Sequence, residues 1–164
     1  MRKKILSILF LFCFVGNQTE IQANEVTIGI ALGFTGPTES IIPNMTSSAE
    51  IAISEANSSE IFLNSEEKIN LIKIDTMCDK SQIKSVNNTI NKNSIIAIIG
   101  AACPGISEGI LLGSVNEKNI PMISPAATSP LLTMLDEKKL FFRTTASSSR
   151  DGEVLAKITK DKGI

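Results

Sequence analysis

Gly105-Ile106-Ser107-Glu108-Gly109 fits the G-x-S-x-G pattern, in which a tight strand-to-helix turn presents a serine as a nucleophile. That chemistry needs a base to take the hydroxyl proton, ordinarily histidine, and the sequence contains none. Ser107 is therefore read as an early-helix serine. The same absence removes the commonest transition-metal ligand. Asp75, Asp79, Glu108 and Asp136 lack the spacing of a calcium loop. Gly29, Gly33 and Gly36 do not form G-x-G-x-x-G, and no phosphate-binding G-x-x-x-x-G-K-[ST] occurs. Paired-carboxylate glycosidase chemistry is not decided by spacing, since its partners can lie far apart in a chain. The expectation is a binding protein with no catalytic residues, cofactor or metal.

The elements that must position a binding site alternate from Glu25 onward. Strand candidates are 26–32, 69–75, 95–99, 121–124 and 140–143, and their nearly continuous apolar character suits strands covered on both faces. Ala49, Ala52, Ile53 and Ala56 recur at helical spacing, with Ser47 and Glu50 as a capping box at the start. Ile83, Val86 and Ile90 mark a second helix. Ser129 and Pro130 place a cap and a first-turn proline ahead of 131–135, and a last helix runs from about 150 to 162 before Gly163. The polar stretch 57–68 reads as a surface connection. This order predicts an α/β fold, a doubly wound, mostly parallel sheet. Ligands of such sheets bind beyond the carboxyl ends of the strands. There the loops 33–41, 76–80, 100–106, 125–129 and 144–149 are rich in Gly, Ser, Thr, Ala and Pro, which lets backbone N–H groups approach a small anion.

The 164 residues begin Met1-Arg2-Lys3-Lys4, and an apolar run from Ile5 to Gly16 follows. This is the pattern of a secretion signal, with cleavage expected after Ala23, and the run is shorter than the roughly 20 residues that span a bilayer. Cys13 follows Phe12 rather than a small residue, so lipid attachment there is not expected. The reading is a signal peptide at 1–23 and a ligand-binding lobe at 24–164, exported to the periplasm without stable membrane insertion. Cleavage removes Arg2, Lys3, Lys4 and Glu20 from 16 basic and 17 acidic side chains, leaving about three net negative charges. With no basic cluster, Trp or Tyr, the chain lacks the phosphate-binding charge and stacking groups of nucleic-acid binders. Cys78 and Cys103 remain, and outside the cytoplasm one disulfide between them is expected, two buried thiols being the alternative.

Ile28-Gly29-Ile30, Thr35-Gly36-Pro37, Met77-Cys78-Asp79, Ile99-Gly100 with Cys103, the stretch Met122-Ile123-Ser124-Pro125-Ala126-Ala127-Thr128-Ser129-Pro130, and Phe142-Arg143-Thr144-Thr145 carry a resemblance. Together they make the chain, from Glu25 to Ile164, similar to the periplasmic branched-chain amino acid binding proteins of ABC importers. The resemblance implies the N-terminal lobe of a two-lobed solute trap of the type I periplasmic-binding-protein kind, with an amino acid or similar small solute as ligand and an ABC transporter permease as partner. It implies that the Thr128 N–H and hydroxyl meet the ligand carboxylate, that the Ala126 carbonyl accepts from its ammonium with Ala127 beside it, and that Cys78 and Cys103 are bonded. Helix capping is the other reading of Thr128.

Four departures bear on the ligand. Pro104 stands where relatives commonly carry a ligand-binding serine, so that contact is expected at Gly105 or Ser107. Ile41 occupies the position of an aromatic wall in leucine-type binders, with core packing as its alternative, and Ser148 that of an acidic residue. Finally, Ile164 falls where relatives begin the crossover to a second lobe, which implies an incomplete cage and weak binding by this lobe alone. Two other readings fit some of the same features: the sensor lobe of an extracytoplasmic receptor, and an exported α/β hydrolase using Ser107.

Overall fold

The structure is a computed structural model and describes residues 24–59 and 67–164. The signal segment 1–23, and most of the surface connection expected at 57–68, fall outside the described residues. Five strands, β1 (Asn24–Leu32), β2 (Glu67–Asp75), β3 (Ala97–Gly100), β4 (Met122–Ser124) and β5 (Phe141–Arg143), form one all-parallel sheet in the order β2-β1-β3-β4-β5. The chain steps from β1 to β2 on one side and to β3 on the other. The topological switch point thus lies at the β1–β3 crevice, where open sheets of this order take their ligands.

Helices cover both faces around β1 and β3. On one side α1 (Ile42–Ser58) packs Ile42, Met45 and Ala49 on Ile30, Leu32 and Ile99. On the other lie α2 (Ile83–Lys92) and α3 (Pro104–Ile110), with Val86, Ile90, Ile106 and Ile110 against Ala31, Ile74 and Ile98. The expected capping box at Ser47 is not the helix start: α1 begins five residues earlier, with no side-chain cap, because Pro43 in its first turn already holds a helical φ. Short helices α4 (Asn116–Lys118) and α5 (Leu131–Leu135) lead into β4 and β5. The last helix, α6 (Ser148–Lys162), ends at left-handed Gly163 as expected, yet none of its residues is buried, and Val154, Leu155 and Ile158 face outward.

Two glycines four residues apart, Gly109 and Gly113, let α2 approach α3 and the turn that continues it closely. A Cβ at Gly109 would lie 2.5 Å from Ile83, and one at Gly113 2.6 Å from the Asn87 amide nitrogen. At Gly113 (φ −89°, ψ −108°) the helix widens into a π turn over Leu111–Val115. Asn87 fills the break. Its Nδ2 donates to the Gly109 carbonyl (3.1 Å), and its Oδ1 accepts from the Ser114 N–H (3.0 Å) and hydroxyl (2.6 Å). Asn87→Ala would strand these groups around buried Ser114, and a loss of about 2–3 kcal/mol is expected. Urea unfolding checks it, and Asn87→Asp, which keeps only the acceptor, should fall between alanine and the parent chain.

Candidate functional site

The loops at the carboxyl ends of the strands are tied to one another by polar side chains. Asp75, last in β2, accepts from the Thr35 hydroxyl (2.6 Å), the Thr35 N–H (3.3 Å) and the Met77 N–H (2.9 Å), clamping the loop after β1 to the loop after β2. Partial burial is the largest single influence on this carboxyl and pushes its pKa up. The bonds from Thr35, Met77 and Phe34 together outweigh it and hold the group below its ordinary value, ionised at neutral pH. Just beyond, Met77 and Cys78 both adopt left-handed backbone (φ 51° and 53°), and Cys78 is bonded to Cys103 with their Cα atoms 5.7 Å apart. The expected disulfide is therefore present, joining the loop after β2 to the start of α3.

Ser124, at the end of β4, organises the loop that follows. Its hydroxyl donates to the Ala101 carbonyl (2.6 Å) and accepts from the N–H groups of Ala127 (2.9 Å) and Ala126 (3.4 Å). Arg143 of β5 braces the far side of the loop, donating to the Ser129 carbonyl (2.9 Å) and the Thr133 hydroxyl (2.6 Å). The Ser129 hydroxyl donates to Glu108 (3.1 Å), which fastens the loop to α3. Among the described residues, nothing pairs with the Ala126 carbonyl or with the N–H and hydroxyl of Thr128.

The structure separates the residues singled out from the sequence. Thr128 and Ser148 come together: the Ser148 N–H (2.9 Å) and hydroxyl (3.2 Å) both donate to the Thr128 carbonyl, so the serine shapes the turn. Gly105 lies on the same rim, one helical turn from the Ser129–Glu108 bond. Ile41 caps α1 and is 51% exposed, which answers the packing alternative: it is not a core residue. Two residues point inward. Ala127 is fully buried, with its N–H spent on Ser124. Ser107 is fully buried too, and its hydroxyl donates to the carbonyls of Ala101 (3.0 Å) and Cys103 (3.3 Å). Ser107 was expected to offer the ligand the hydroxyl that Pro104 lacks, and this placement corrects that expectation. A hydroxyl sealed in this way is not presented for attack either. Sequence reasoning missed the organising roles of Ser124, Arg143 and Asp75. The only signal for them was their position as the last residue of a strand, where a side chain can reach the neighbouring loop.

Residues 44–163 match the sequence family described as the receptor family ligand-binding region. The Leu/Ile/Val/Thr-binding protein of Salmonella typhimurium is 29% identical over 140 residues, covering 85% of this chain and 37% of that protein. Among solved structures, an ABC transporter substrate-binding protein from Desulfitobacterium hafniense in complex with Leu is 26% identical with a TM-score of 0.68, over 85% of this chain and 40% of that one. A possible leucine/isoleucine/valine-binding protein from Rhodopirellula baltica shares the fold at a TM-score of 0.73 and 18% identity, over 90% of this chain and 38% of that one. The chain spans well under half the length of each of them.

Proposed function

The chain belongs to the receptor family ligand-binding region, and from that membership we propose that it is the ligand-gripping N-terminal lobe of an exported solute-binding protein that captures an amino acid for an ABC importer. The observation that carries this reading is the set of three unspent groups in one braced loop: the Thr128 N–H and hydroxyl as donors and the Ala126 carbonyl as acceptor. A zwitterion needs such a set, donors for its carboxylate and an acceptor for its ammonium, and donors already held in place lose little entropy on binding. The lobe binds and performs no reaction. Similarity to an ABC transporter substrate-binding protein favours import over a receptor's sensor lobe. Export rests on the N-terminal sequence, and among the described residues no helix is long and apolar enough to cross a membrane.

Titration of the chain with L-leucine, followed by two-dimensional amide NMR, tests the reading. Saturable shifts should centre on Thr128, Ser129 and the neighbouring loop ends, and Thr128→Val should raise the midpoint about ten-fold, the effect of losing one hydrogen bond to a charged group. If no concentration of leucine or another neutral amino acid moves these amides, the proposal fails.

A further inference from the structure

We infer that the outward face of α6 pairs antiparallel with the same face of a second copy of this chain, so that the lobe self-associates through its last helix. The inference goes beyond the binding role proposed above and stands on different residues.

Asp151, Leu155, Ile158 and Lys162 follow one another at steps of four, three and four residues, which puts them in a single stripe along α6, with Val154 at its margin. None of the stripe is buried: Leu155 is 65% exposed, Val154 53% and Ile158 47%. Single apolar side chains at a surface are ordinary, but three on one face of one helix form a patch of the kind that marks an interface. The space beside it is open, since a carbon added at Gly152, on the flank, meets no atom within 4 Å.

The charges at the two ends of the stripe fix what fits it. Among the described residues, the ion pairs join Lys73 to Glu50 and Arg150 to Glu153, and neither Asp151 nor Lys162 takes part in one. These two stand eleven residues apart, about 16 Å along the axis, too far to pair within one helix. Laid antiparallel against a second α6, the stripe is its own complement: Asp151 meets Lys162 of the other copy at both ends, and Leu155 meets Ile158 twice between them. A parallel arrangement would set Asp151 on Asp151 and Lys162 on Lys162. Reciprocal contacts of this kind are what a two-fold interface requires. The seam is about 22 Å long, the length of a 15-residue helix, which places it with the small, transient interfaces.

Sedimentation equilibrium of the chain without residues 1–23 tests the pairing, for the parent, Leu155→Glu, Asp151→Lys and Lys162→Asp. The parent should pass from monomer to dimer with a dissociation constant of about 10–100 μM, in keeping with a small interface. Leu155→Glu, at an exposed position that leaves the fold intact, should be monomeric at concentrations where the parent is mostly dimer. Asp151→Lys and Lys162→Asp each place like charges at both ends of the seam, and each should weaken the dimer about ten-fold. Mixed in equal amounts, the two variants should associate about as tightly as the parent, because each supplies the charge the other lacks. Both residues also suit the helix dipole, Asp151 at its positive end and Lys162 at its negative end. That role alone gives no recovery on mixing, so the mixture separates it from pairing between copies. A parent that stays monomeric up to about 1 mM overturns the inference and leaves the face to a different partner. A dimer that Leu155→Glu does not weaken overturns it as well, and so do charge variants that fail to recover when mixed.

Discussion

Gly100→Ala should destabilise the fold by about 3–5 kcal/mol, combining a strained backbone with an overpacked one. Gly100 ends β3 with φ +130°, a region that side-chain-bearing residues avoid, and it pairs with Ala31 of the central strand β1. A Cβ there would lie 2.1 Å from the Ala31 carbonyl oxygen and 2.9 Å from its carbon. Both are backbone atoms at the centre of the sheet, so no rotamer change relieves the overlap, and the β1–β3 crevice would have to open. Domain stabilities run to about 5–15 kcal/mol, so the variant should retain a small folded margin or none. The control is Gly152→Ala in α6, where nothing lies within 4 Å of the added carbon. It should be neutral or gain up to about 1 kcal/mol from helix propensity. Urea midpoints for the two variants, set against the parent, decide the matter. Equal midpoints would mean that the close approach of β1 and β3 is not rigid.

Reduction of the Cys78–Cys103 disulfide should lower stability by about 3–4 kcal/mol, the chain-entropy value for a closed loop of this size. The bonded residues are 25 apart in sequence, and the loop between them contains α2 and all of β3. Unfolding with and without a thiol reductant measures the effect, and Cys78→Ser with Cys103→Ser should reproduce it in oxidising buffer. A loss below about 1 kcal/mol would show that the unfolded chain already keeps these segments together.

Much of this fold is legible without coordinates, because strand and helix periods record which face of each element meets the core. Val26 to Leu32 reads as a buried strand from its apolar run, and Val86 and Ile90 read as the inner face of α2 from their spacing. The start of α1 is misread from sequence because Ser47 and Glu50 imitate a cap, while the true start leaves no side-chain signature beyond Pro43. The outward-facing residues of α6 are equally hidden: Val154, Leu155 and Ile158 have helical spacing whether or not anything covers them.

The candidate site divides along the same line. The amino-acid sequence by itself determined the order of strands and helices, the loops gathered at one end of the sheet and the absence of a histidine-based triad, and it left the two cysteines as either a disulfide or two buried thiols until the fold brought them together. Tertiary structure alone decided that the Ser107 hydroxyl is consumed by Ala101 and Cys103, and that Ser124 spends the Ala126 and Ala127 amides while the N–H and hydroxyl of Thr128 stay unpaired. The reason is physical. Periodicity reports local backbone geometry and one-sided burial, whereas the groups left unpaired depend on hydrogen bonds between loops that follow different strands, and those partners meet only once the sheet has brought the strand ends together.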